Sequence, residues 1–284
     1  MAGLKNIRQI GAANDEGRSH WCAFRKVPSQ ATTAGGWADL SMAAGNPVPN
    51  YYAATPLQAQ TLESFSGIFH GDAKAPYSKH LLAMSCVTPT TNMLGQAILC
   101  DYLLYYPFLD GDAAGEVQTL GNATTLPRYT DGDGIMAMAV AVAPTTGGGS
   151  FSFNYVDAAG NAKTSPVISA NTAVTNIASL LTSDPSVGGG PFLPLAAGST
   201  GVRSITDVTV ASAMGGLFAL VLVKPLATNV TREVNTAHEI EFVTMKPGAP
   251  RIYDGAYLNW LINGVAGSIA TGTFTGNCRF VWST

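Results

Sequence analysis

FSFNYVDAAGNAKTSPVI, residues 151–168, is the stretch whose reading decides the fold. Phe151, Phe153 and Tyr155 alternate with Ser152 and Asn154, the period of a strand with one buried face. Asp157 to Asn161 then supply the residues of a tight turn, and a second extended run follows. This predicts a β-hairpin. The same period returns at the C-terminus in TFTGNCRFVWST, where Phe274, Cys278, Phe280 and Trp282 share one face and Thr273, Thr275, Asn277 and Arg279 the other. In VRSITDVTV the apolar positions change phase between Ile205 and Val208, which calls for a bulge near Asp207.

GQAILCDYLLYYPFLDGD, residues 95–112, is a long apolar run closed by Pro107 and an Asp-Gly turn. The runs IMAMAVAVA and LFALVLV fall well short of the roughly 18 to 20 residues that cross a bilayer and read as buried strands. Many strands parted by Gly and Pro turns, with no βαβ alternation, predict an all-β protein, an antiparallel β-sandwich of jelly-roll or immunoglobulin-like type over residues 91–284. Residues 1–90 lack sustained alternation, are broken by Pro28, Pro47, Pro49, Pro56 and Pro76, and read as an irregular N-terminal arm. Its helix signal is TPLQAQTLESFSG, residues 55–67, with Thr55 as cap, Pro56 at the first position and Leu57, Leu62 and Phe65 as the stripe.

Charged residues make up 12% of the 284, about half the usual share, and the deficit is deepest between Gly134 and Val230. A chain with so little charge is expected to be covered by neighbours. A net charge of −3 and the lack of any Lys/Arg cluster argue against nucleic acid as partner. Met1 opens a polar segment without the apolar core of a secretory signal, so synthesis in the cytoplasm is expected, with no membrane partner. Cys22, Cys86, Cys100 and Cys278 are scattered, show no metal-ligand spacing and read as free buried thiols.

Catalytic signatures are missing. HEIE at 238–241 lacks the second His of a zinc protease helix, AGSTG fails the nucleophile-elbow pattern, and the GGG runs carry no Lys. Asp110, Asp112 and Glu116 in one turn and Asp131 and Asp133 in another leave open a cation bridging two loops, or paired carboxylates on a glycan hydrolase, with solvated turns the preferred reading. Neither a metal site, a cofactor nor an enzyme activity is expected.

RIYDGAYLNWLING, residues 251–264, is apolar on both faces at period two, and at period 3.6 makes a stripe of Leu258, Leu261, Ile262 and Val265. Part of that surface is expected to belong to another chain. The candidate interface residues are Tyr253, Tyr257, Trp260 and Leu261, with Trp21 and Trp37 in the arm, aromatic anchors being the residues that dominate interfaces.

LPRYTDGDGIMAMAVAVA, FSFNYVDAAGNAKTSPV, GPFLPLAAGSTGVRSI, LVLVKPLA and RIYDGAYLNWL together resemble a family of tailed-bacteriophage virion proteins encoded among head and tail genes, over roughly residues 95 to 265. The resemblance implies a component of a virus particle, located in the virion. Its expected role is a decoration or cement protein that binds the major capsid protein and copies of itself as a homo-oligomer. The alternative it leaves is a tail or adsorption protein whose sandwich binds carbohydrate.

Overall fold

The computed structural model describes residues 7–29, 31–62, 64–172, 175–183, 189–243, 248–264 and 268–283. In chain order its elements are α1 (Ile7–Asp15), β1 (Ser19–Val27), β2 (Trp37–Asp39), β3 (Ala44–Asn46), β4 (Gln60–Thr61), β5 (Ser78–Val87), β6 (Gly95–Asp110), β7 (Val117–Thr119) and β8 (Met136–Ala141). There follow β9 (Ser150–Asp157), β10 (Ala162–Thr164), β11 (Ile168–Ser169), β12 (Val202–Ser212), β13 (Leu217–Thr231), β14 (His238–Glu241), β15 (Arg251–Ile252), β16 (Tyr257–Asn263) and β17 (Phe274–Ser283). The fold is an all-β sandwich, as the alternation predicts, and its strands form three sheets whose pairings are antiparallel.

The hairpin of 151–168 is β9 and β10, with Ala162 opposite Val156 and Asp157 N–H donating to Asn161 O across the turn. Phe151, Phe153 and Tyr155 all point into the core. The bulge expected near Asp207 is present, a register shift between Ile205 and Asp207 where β12 pairs β9. These strands, with β7 and β11, make a small sheet in the order β10-β9-β12-β7. A terminal sheet in the order β14-β5-β17-β1-β3 joins the two ends of the chain, with β15 beside β5.

The central sheet, β2-β16-β6-β13-β8, is built on two long strands, β6 of 16 residues and β13 of 15. Both of its faces are buried. On one, Leu258, Trp260 and Ile262 of β16 meet Phe24, Phe274 and Phe280 of the terminal sheet, and farther along Phe218, Leu220 and Leu222 of β13 meet Phe151, Phe153 and Val208 of the small sheet. The other face carries Trp37, Tyr257, Leu261, Tyr102, Val221 and Val223, covered by Met42, Tyr52 and Leu180. Two sandwiches thus share one sheet, and connecting segments close its back. This is why the strands read as near-continuous apolar runs, as strands covered on both sides do.

Two expectations about the first ninety residues are corrected. They are not an arm: β1 is inserted between β17 and β3, and β5 between β14 and β17, so half of the terminal sheet comes from this part of the chain. The alternation of β1 is hidden because Lys26 stands at an inward position beside Phe24, its buried ammonium donating to Ala43 O at 2.8 Å and Pro47 O at 2.7 Å. Nor is 55–67 an α-helix, a single 3-10 turn at Ser64–Ser66 being its helical part. Leu57 takes φ +59° and donates its N–H to Pro107 O, and Ala59 donates to Gly121 O, so neighbouring strands claim the bonds that a helix needs. The α-helix of this part is α1, which seats Ala13 on Leu82 and Val281. Residues 1–6, and Glu63 of the expected helix, lie outside the described residues.

Candidate functional site

Of the six expected interface residues, the fold hides four. Tyr257, Trp260 and Leu261 are fully buried in β16, which lies between β2 and β6, and Trp37 is 7% exposed on β2. Trp260 packs against Phe24 and Phe274 at 5.2 and 5.4 Å between ring centres. The surplus apolar surface of 251–264 is therefore covered by this chain's own sheets. The helical stripe does not form, since 257–263 is a strand, and Val265 lies outside the described residues. Trp21 is different. It is 59% exposed on the outer face of the terminal sheet, opposite Arg279 in register, whose guanidinium lies 5.2 Å from its ring.

Tyr253 is half-buried and holds a surface stack in place. Its ring meets Tyr129 edge-on at 4.8 Å, with Arg251 over Tyr253 and Lys224 over Tyr129. Beside this stack, Arg128 grips Asp101 with two bonds of 2.9 and 2.6 Å, and Asp101 also accepts the Tyr257 N–H. Burial pushes the Asp101 carboxyl up to about 6, against the pull of Arg128 and that N–H. The pair lies where β6 passes from one sandwich core to the next, beside a register shift opposite Leu222 and Val223.

A second constellation, unreadable from spacings of nine and more than a hundred residues, joins His70, Lys79 and Asp254. Lys79 Nζ donates to His70 Nδ1 at 2.9 Å, to Gly71 O at 2.7 Å and to Asp254 Oδ1 at 3.0 Å, so its three protons are all engaged. His70 Nε2 then carries the ring proton and donates to Ala256 O. Burial, and next the Lys79 charge, lower His70 to about 4. With its one lone pair occupied by an ammonium, this imidazole has nothing left with which to take a substrate proton. The group fastens the segment before β5 across the edge of the sandwich. Gly71, at φ +80°, lets that segment pass so close to Trp282 that a Cβ would sit 2.6 Å from the ring.

Asp39 forms a third. Its carboxyl accepts from Ser41 N–H, Ser41 Oγ, Tyr102 Oη and Tyr52 Oη, four donors for one buried group. Burial raises it from its ordinary value, and the tyrosine and serine donors oppose the rise. A cavity of about 330 Å³ opens beside it, lined mainly by Leu40, Met42, Tyr51, Val142, Ile177 and Ile269. No donor or acceptor of Asp39 is left over for a ligand.

The acidic turns do not share an ion. Asp133 bridges to Gly201 before β12, whereas Ala114 of the other turn bridges to Val210 near its end. Nine strand residues separate these points by roughly 25–30 Å. Each turn is closed on itself, Asp110 accepting from Asp112 N–H and Asp131 from Asp133 N–H. That spacing also keeps carboxylates of the two turns from acting together as one pair. Among the described residues, no group of three or more His, Cys, Asp or Glu side chains is placed to hold a metal.

What remains for recognition is surface. Besides Trp21, Phe65 is 81% exposed, Phe69 57% and Tyr51 56%, in a chain that is poor in charge. Comparison with protein-family models, with curated proteins and with solved structures finds no match.

Proposed function

We propose that this protein is a non-enzymatic structural component of a bacteriophage particle, a capsid decoration or cement protein that binds the assembled shell. One observation carries the reading beyond the resemblance. Four buried titratable groups, Asp39, Asp101, His70 and Lys79, are committed to internal partners, while Trp21, Phe65 and Phe69 stand exposed on a weakly charged surface. Such a molecule is equipped to adhere and not to turn over a substrate. A protein that binds only the assembled shell stabilises it by mass action, because every bound copy shifts the equilibrium away from free subunits.

The outer face of the terminal sheet, with Trp21 stacked on Arg279, is the proposed contact. It replaces the 251–264 segment in that role. The test is co-sedimentation of the purified protein with particles that lack it, with wild type beside Trp21→Ala. Saturable binding, weakened at least tenfold by the substitution, is the expected result; a central aromatic anchor commonly contributes about 2 kcal/mol or more. Labelling on the tail together with glycan binding that depends on Trp21 would move the protein to the adsorption apparatus, and turnover of host polysaccharide would overturn the non-enzymatic reading.

A further inference from the structure

Cys22 and Cys278 stand near opposite ends of the chain, yet they are directly opposed on the antiparallel strands β1 and β17. Opposed residues of such a pair send their side chains to the same face, with Cα atoms about 4.5 to 5.5 Å apart. Disulfides span about 4.4 to 6.8 Å. Both side chains face the core under the terminal sheet, Cys278 wholly buried and Cys22 partly exposed at its margin. Cys86 reaches the same face from β5, but it is paired with Gly276 and so lies diagonal to Cys278. That puts it at roughly 7–8 Å, past the reach of a bridge.

The two thiols are unlike. A hydrogen bond with the Cys278 thiol draws Cys22 below its ordinary range, although burial opposes this. The same bond, and then burial, hold Cys278 far above. One partner is reachable and acidified; the other keeps its proton behind it. Cys22 is the sulfur an oxidant meets first, because the thiolate attacks and access decides which sulfur is reached.

We propose that Cys22 and Cys278 form a site of thiol–disulfide exchange with a small-molecule disulfide, and that the product is an intramolecular bond fastening the first strand of the fold to the last. In the first step Cys22 thiolate attacks one sulfur of the oxidant, breaks its S–S bond and releases a thiolate, which takes up the proton that Cys22 gave up. In the second, Cys278 attacks Cys22 Sγ, breaks the mixed disulfide and passes its proton to the second departing thiolate. Two protein thiols are oxidised and one small disulfide is reduced to two thiols. The bond closes almost the whole chain into a loop, the case in which a cross-link restricts the unfolded chain most. The inference does not depend on the particle reading.

The test incubates the folded, full-length protein with oxidised glutathione, followed by alkylation, intact mass and peptide mapping. The expected product has lost two hydrogens, joins the Cys22 and Cys278 peptides, and melts about 5 °C or more above the reduced form. Cys22→Ser, at the partly exposed position, should fold and show neither change, and Cys86→Ser should show both. A lasting glutathione adduct on Cys22 with Cys278 still free overturns the proposal, as does a bridge between Cys278 and Cys86. A bond that forms without raising the melting temperature overturns its fastening role.

Discussion

Tyr257 and Leu258 are neighbours in the chain and belong to different cores: Leu258 packs under the terminal sheet with Trp260, and Tyr257 lies on the opposite face against Tyr102, its ring centre 5.6 Å away. Both are fully buried. A strand covered on both sides in this way has no free face to offer a partner.

Substitutions in this strand should act on folding. Trp260→Ala is expected to cost about 3–5 kcal/mol, and Tyr257→Ala combined with Leu261→Ala at least as much, through lost burial and residual cavities. Trp21→Ala, on the exposed face, should stay within about 1 kcal/mol of wild type. Urea unfolding of the three variants measures this. A double variant as stable as wild type would return Tyr257 and Leu261 to the surface.

Arg128→Ala should cost about 3–5 kcal/mol, because it leaves the fully buried Asp101 without its counter-charge. The loss should depend on pH. Asp101 titrates at about 6 in the folded protein against an ordinary 3.8, so between these values the folded state keeps a proton that the unfolded chain has released. Its contribution to stability therefore falls as pH rises through that window. Without Arg128 the carboxyl is pushed higher still, and the variant should be hurt more at pH 8 than at pH 5. Equal losses at both pH values would show that Asp101 is not charged in the wild type.

His70 has the opposite sign. Its folded value of about 4 lies below the ordinary 6.5, so the unfolded chain takes up a proton first and stability is lost as pH falls from about 6.5 toward 4. The groups around it are Lys79, Asp254 and Arg128. The full effect is on the order of 3 kcal/mol. His70→Gln should flatten this slope in chemical denaturation measured across the window. A slope unchanged by the substitution would assign the acid sensitivity to other groups.

Removal of residues 1–90 should leave no folded remainder, since β17 would lose both of its neighbours, β1 and β5. Limited proteolysis of the intact protein should correspondingly leave no fragment that begins near residue 90. A stable, cooperatively melting 91–284 piece would show that the terminal sheet is dispensable.

Where one face of a strand meets water, the sequence could be read directly. Phe151, Phe153 and Tyr155 against Ser152 and Asn154, and Cys278, Phe280 and Trp282 at the C-terminus, gave their faces by alternation, and the phase change before Val208 located a bulge that the structure contains. Lys26 at an inward position erased that signal in β1, because its carbonyl partners, Ala43 and Pro47, come from a segment some twenty residues on.

The candidate site was less legible. Trp21 was named for its residue type, and nothing in SHWCAFRKV tells it from the buried Trp37. His70, Lys79 and Asp254 carry no shared spacing, and Cys22 and Cys278 are separated by nearly the entire chain.

By itself, then, the sequence determined the all-β class, the hairpin, the bulge and the shortage of charge, because period and composition are local properties that each segment carries with it. Only the tertiary structure decided what covers each apolar face and which distant groups meet. A run such as YLNWLIN is equally satisfied by its own chain or by a neighbour, since burial of apolar area has no direction and does not depend on which chain supplies the cover. The register of β1 on β17 is fixed where the terminal sheet packs on the central one, and that is what placed Trp21 beside Arg279 and Cys22 beside Cys278.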